Sequence, residues 1–259
     1  MADYRNIQAQ RTVGGARVGA DIDQGLRSYM LGVYNMMAIG LAVTGLAAFA
    51  VAALATTTDP SAAVAQLPNG KMITALGAAL YTSPLRWVVM LAPLAAVFFL
   101  SFRIERLSVA TANAVFWGYA ALVGLSLSSI FLVFTGQSIV RTFFVTAASF
   151  GALSLYGYTT KRDLSAMGSF LIMGLFGLII ASVVNIFLGS TALQFAISVI
   201  GVLIFAGLTA YDTQSIKEMY YEGDGSETHG RKVVMGALRL YLDFINMFMF
   251  LLQFMGNRE

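Results

Sequence analysis

Seven long apolar runs divide this chain of 259 residues, and they decide what it can fold into. They cover roughly 31–55, 86–102, 109–134, 139–158, 166–189, 192–215 and 233–255. Each is close to the ~20 residues that a helix needs to cross a bilayer, the second being the shortest. In lipid, every backbone N–H and C=O must be satisfied within the segment, so runs of this kind form helices. Charged residues make up only 11% of the chain, against about 25% in a soluble domain. The expected fold is therefore an all-α integral membrane protein, a seven-transmembrane-helix bundle. Residues 1–28 read as a mobile cytoplasmic tail and 29–259 as a single membrane domain.

Composition removes several function classes. With no cysteine there is no disulfide framework, no Cys-ligated metal and no thiol chemistry. His229 is the only histidine and falls in a polar loop, where solvent exposure is expected. The net charge of +3 is small and no basic patch lies away from the helix ends, so no nucleic-acid partner is expected.

Charge distribution sets the orientation. With a cytoplasmic N-terminus, the inside holds Arg5, Arg11, Arg17, Arg27, Arg103, Arg106, Lys161, Arg162, Lys217, Arg231, Lys232 and Arg239. The outside holds Lys71, Arg86, Arg141 and Arg258. This is a clear positive-inside bias. The 56–85 connection becomes an external loop, with Asp-Pro, Pro-Asn-Gly and Ser-Pro turn signals.

Two carboxylates stand well within apolar sequence. Asp212 ends the run SVIGVLIFAGLTAYD, and Asp243 lies inside VVMGALRLYLDFINMFMFLLQFMG. An ionisable group at bilayer depth costs at least ~2.5 kcal/mol, so it faces a polar interior and a partner. By helical rise, Asp212 is about 7–8 Å in from Lys217 and Asp243 about 15 Å in from Val233. Their helices are consecutive and antiparallel, which brings both to similar depth and makes them the candidate site. Asn246 follows one turn after Asp243 on the same face. Arg239 precedes Asp243 by four residues and either pairs with it or snorkels to the cytoplasmic surface, the second being favoured. The bland readings are structural: an aspartate accepting from Tyr211 or Tyr241, Asn185 bonding across helices, Gly168, Gly174 and Gly177 serving close packing, and Pro93 kinking the second span. Asp163 is expected to cap the fifth span, and the Glu218–Glu227 loop to be solvated.

The strings TAYDTQSIK, LRLYLDFINMFMFLLQFMG and TTKRDLSAMGSFLIMGLFGLIIASVVNIF, in that setting, resemble the Bax inhibitor-1 family, bacterial members included. The likeness is best from about 110 to 256. It implies a seven-helix fold with the last helix at the bundle centre, and a pH-sensitive calcium leak whose carboxylate dyad matches Asp212 and Asp243. It also implies a latching arginine at the cytoplasmic end of the second span. SFRIERLS offers both Arg103 and Arg106, and Arg106 is favoured as nearer the membrane boundary of the third span.

Two close carboxylates in low dielectric resist ionising together and titrate as a pair. A shared proton would tie the sixth span to the seventh, and its loss leaves a hard oxygen site. Calcium takes six to eight oxygens, so two carboxylates suit transient occupancy by Ca²⁺, with Asn246 and water completing the shell. The expected function is a pH-sensitive calcium leak of the bacterial inner membrane, with no tightly bound cofactor and no enzymatic activity. Its partners would be lipid, Ca²⁺ and protons. The alternative is a non-conducting regulator of other membrane proteins, such as a membrane protease. An intramembrane aspartyl protease is disfavoured, because Leu-Tyr-Leu-Asp stands where Gly-x-Gly-Asp is expected and the Pro-Ala-Leu motif is missing.

Overall fold

The computed structural model describes residues 4–258, with side chains from Gln24 onward except Glu105. Nine α-helices follow one another among these residues: α1 (Tyr4–Ala55), α2 (Ala75–Tyr81), α3 (Leu85–Arg103), α4 (Val109–Leu127), α5 (Ile130–Val133), α6 (Gly136–Thr159), α7 (Ser165–Leu188), α8 (Thr191–Glu218) and α9 (Ser226–Met255). Seven spans are long and apolar enough to cross a membrane, with α4 and α5 together making the third. They match the seven apolar runs of the sequence, and the chain is an all-α membrane protein.

Hydroxyl side chains start several of the helices. Ser108, Thr135 and Ser190 accept from the backbone N–H of Thr111, Ser138 and Leu193, each satisfying a donor that the first turn leaves free. Gly189 ends α7 in the left-handed conformation (φ 59°), where a Cβ is costly. Asp163 accepts from Ser165 N–H at 2.8 Å, and the bonds from Ser165 hold its carboxyl below the usual carboxylate range. This supports the capping role expected of it, one residue outside the formal cap.

The last helix is the centre of the bundle. α9 packs against α1, α4, α6 and α8, and 56% of its apolar window is buried, against 6% for α3 and 11% for α7. Tyr241, Leu240, Met247 and Leu252 are fully enclosed or nearly so. The exposed faces of α3 and α7 are predominantly apolar, with Phe102, Phe170, Ile186 and Phe187 among the most exposed. In water this would be a liability; in a bilayer it is the lipid surface.

Four sequence expectations are amended. The segment before the first apolar run belongs to a helix from Tyr4 onward, continuous with a span that begins at Gln24; residues 1–3 of the expected tail lie outside the described residues. The 56–85 connection contains more than turns. Thr56–Thr57, Ala65–Gln66 and Met72–Ile73 (β1, β2, β3) form an antiparallel sheet in the order β1-β3-β2, with Gly70 at φ 85° in the hairpin turn. His229 is partly buried rather than exposed, edge-on to Tyr29 at 5.4 Å, because it sits in the first turn of α9 against α1. The acidic loop is not simply solvated: Asp224 pairs with Lys232, and Glu227 accepts from Val109 N–H.

Glycines let the spans approach. A Cβ on Gly157 of α6 would stand 2.1 Å from the carbonyl oxygen of Ala210 in α8, whereas one on Gly151 would meet nothing within 4 Å. Gly157→Val should therefore force α6 and α8 apart and cost about 2 kcal/mol. Gly151→Val on the same helix should change stability by less than about 0.5 kcal/mol. Thermal unfolding in detergent distinguishes them; equal midpoints would show that this contact does not limit stability.

Candidate functional site

α8 and α9 lie antiparallel along each other, and each brings one carboxylate to their seam. Asp243 is 4% exposed, and its Oδ2 is buried with no hydrogen-bond partner. Asp212 is partly buried and lines the same cavity as Asp243, so the two carboxyls face one seam. An ionised carboxylate only accepts, so contact between two of them requires a proton on one. The pairing is therefore intrinsically a one-proton device.

The cation beside the pair is Arg239. It is partly buried, its charge acts on both carboxylates, and it lines the same cavity. The expectation that it snorkels away is corrected: four residues before Asp243 is one helical turn, which leaves its guanidinium facing the seam. Among the described residues no ion pair within 4.0 Å joins it to either aspartate, so it supplies a field rather than a clamp. Asn246 lines the cavity too, and donates through Nδ2 to Leu242 O at 2.8 Å. That bond leaves Oδ1 as a free acceptor. Neither tyrosine considered as a structural partner serves the pair: Tyr241 OH meets Thr44 Oγ1 at 2.6 Å, and the ring of Tyr211 packs beside Gly168.

Arg103 and Arg106 are exposed, at the end of α3 and in the single 3-10 turn that follows it. The structure does not bring either of them to the dyad. α3 packs on α2 and α4, away from α7 and α8.

The cavity itself measures about 520 Å³ and lies between α7 and α9 over α8. α7 and α9 both pack along α8 but make no substantial contact with each other. Its α7 wall includes Ile179 (50% exposed), Val183 (51%) and Ile186 (77%), so the crevice opens on the outer face of the bundle.

Two polar anchors near the pair are invisible to motif reading. Gln214, two residues after Asp212, accepts from Leu164 N–H and donates to Arg162 O, both at 2.8 Å, and so fastens the α6–α7 connection to α8. Lys217 donates to Tyr158 O at 2.9 Å. A chain of hydroxyls crosses the bundle nearby: Tyr34 OH to Ser154 Oγ at 2.6 Å, then Ser154 Oγ to Thr213 Oγ1 at 2.9 Å. The only available signal was small polar residues within apolar runs, a pattern too common to single these out. Asn185 takes its bland role: it donates to Gln194 and accepts from Ser190 N–H.

Comparison with known proteins places this arrangement. Residues 26–259 match the family described as "Inhibitor of apoptosis-promoting Bax1". A protein of Caulobacter vibrioides, described as uncharacterised, is 47% identical over the whole of both chains. The inner membrane protein YbhL of Escherichia coli K12 is 47% identical, over 91% of this chain and 94% of its own. Protein RP147 of Rickettsia prowazekii, also described as uncharacterised, is 46% identical over 92% of each. With the seven spans, the central last helix and the matched 26–259 region in agreement, this chain belongs to the Bax inhibitor-1 family.

Proposed function

We propose that this protein is a proton-sensitive calcium leak of the bacterial inner membrane, in which Asp212 and Asp243 are both the sensor and the transient ion site. The observation that carries the reading is the pair itself: two carboxyl groups lining one cavity open to one side, one of them 4% exposed with an unpartnered oxygen. The resemblance to an inner membrane protein supports the location.

The chemistry follows from what the pair can hold. With a shared proton it is a hydrogen bond between α8 and α9. Without that proton it is two adjacent anions that repel unless a cation lies between them. Asp212, Asp243 and the free oxygen of Asn246 supply too few donors to cage Ca²⁺, which takes six to eight oxygens, so water completes the shell and binding is brief. Arg239 competes with a bound cation and keeps affinity low, which suits passage better than storage. Proton and calcium compete for the same oxygens. The latch assigned to Arg103 or Arg106 belongs to a second conformation, in which the end of α3 swings to the dyad and an arginine holds an ionised aspartate. Protonation would then release it, so acid favours opening while base favours ion binding.

Calcium flux into liposomes holding the purified protein, followed across pH, tests the proposal. The wild type should leak in a pH-dependent manner. Asp212→Asn and Asp243→Asn should each leave a folded protein whose flux no longer varies with pH. Unchanged pH profiles in both variants would place the titrating group elsewhere. Replacing Arg103 and Arg106 together by Ala should raise leak at neutral pH and flatten the profile; no change at any pH would exclude the latch.

The pair geometry has its own check, because the chain has no cysteine. The double variant Asp212→Cys, Asp243→Cys should cross-link under mild oxidation, with a mass lower by two hydrogens. Free thiols after oxidation would show that the two positions do not meet.

The orientation is equally testable. Ser61→Cys, in the long α1–α2 connection, should react with a membrane-impermeant maleimide added to spheroplasts, and Ser226→Cys at the start of α9 should not. The reverse pattern would invert the topology.

A further inference from the structure

The crevice between α7 and α9 holds complementary unmet demands. Asp243 Oδ2 is a buried acceptor with no donor. Arg239 is a partly buried donor with no carboxylate within 4.0 Å among the described residues. Both line one cavity of about 520 Å³, within the range of small-molecule sites. Asp212 and Asn246 share that polar floor, Ser182 and Tyr211 are the other polar residues of the lining, and the remainder is apolar, including Leu175, Ile179, Val183 and Phe250. A polar floor under an apolar, outward-facing slot is the negative of an amphiphile.

Depth and width choose among amphiphiles. Asp212 lies five residues before Lys217, about 7–8 Å below the helix end by the helical rise. A phosphate head with its hydration shell stays at the interface; a carboxyl attached directly to its chain can sit lower. The α7 wall runs from Ile172 to Ile186, fourteen steps or about 21 Å. That exceeds the ~15 Å of hydrocarbon in one leaflet, so a single long chain can lie along it. A carboxyl group also answers both demands at once: its oxygens accept from a guanidinium in charge-assisted bonds, and in its protonated form it donates to a carboxylate oxygen.

We propose that the α7–α9 crevice binds one long-chain fatty acid, its carboxyl group between Arg239 and Asp243 and its chain along Ile179 and Val183. The occupant enters sideways from the bilayer. It covers a polar cluster that would otherwise face hydrocarbon. The assignment does not depend on whether the protein conducts ions, and its test reads binding, not flux.

The probe is radiolabelled oleate, titrated into the full-length protein in nanodiscs against protein-free nanodiscs. Saturable binding of one oleate per chain is expected. Ile179→Trp fills the slot from a side chain that is already exposed, so folding is spared, and should weaken binding roughly tenfold or more. Arg239→Gln removes the charge-assisted contact and should do the same. Leu94→Trp, on the exposed face of α3, should leave binding unchanged. Monoolein, with a similar chain and an uncharged head, should fail to compete. Absence of saturable binding above the protein-free control overturns the proposal. So does equal affinity in the Ile179→Trp and Leu94→Trp proteins. Competition by monoolein as strong as by oleate overturns the carboxyl assignment, and with it the role given to Arg239.

Discussion

Hydrocarbon cannot solvate a carboxylate, and the arrangement of this bundle follows from where one carboxylate sits. Asp243 is in the middle of a helix of thirty residues, so that helix cannot lie at the lipid face. α9 accordingly occupies the centre, with α1, α4, α6 and α8 around it. α8 is the neighbour that carries the second acid, and the seam between them is close. At Gly201 of α8 a Cβ would stand 2.6 Å from the ring of Phe250. That approach is what allows Asp212 to meet Asp243 at similar depth. The peripheral helices are left with no such obligation, and their surfaces are correspondingly plain.

Elsewhere in the interior, polar side chains are nearly all partnered, most by backbone or by one another. Thr44 donates to Ala120 O at 2.8 Å, and Thr209 and Thr213 return to carbonyls one turn back. Gln194 and Gln253 bond across α8 and α9 at 2.7 Å. In a bilayer, helix association gains nothing from expelling water, so close packing and hydrogen bonds of this kind do the work. Among the described residues three buried oxygens lack a partner, Tyr29 OH, Thr142 Oγ1 and Asp243 Oδ2, and of these only the last belongs to a carboxyl group. Gln214 and Asn185, by contrast, are both hydrogen-bonded.

Much of this was legible in the sequence because lipid imposes simple rules. Apolar length alone located all seven spans, and charge at bilayer depth located Asp212 and Asp243. The near-perfect hydrocarbon uniformity of those spans hides what distinguishes one face from another. The hydrophobic pattern does not say that α7 leans on α8 and leaves a gap beside α9, so the crevice could not be foreseen. Arg239 was misjudged for a related reason. Its spacing to Asp243 and its distance from the helix end permit opposite orientations, and only the neighbouring helix decides. The small sheet in the α1–α2 connection was hidden by brevity, since two-residue strands carry no period to read. His229 was placed in a loop because its surroundings are polar, yet α9 begins at Ser226 and carries it into contact with Tyr29.

α7 is fastened along one edge only. Gly168 admits the ring of Tyr211, and Asn185 is tied to the start of α8, but the opposite side of the helix is exposed, with Phe170, Met173 and Ile180 outward. A helix held in this way takes its tilt from the thickness of the bilayer as well as from its one neighbour. In a thinner membrane it leans further, like a door on a single hinge, and the gap to α9 changes with it. Because the two aspartates line that gap, a change in bilayer thickness would alter their surroundings as well.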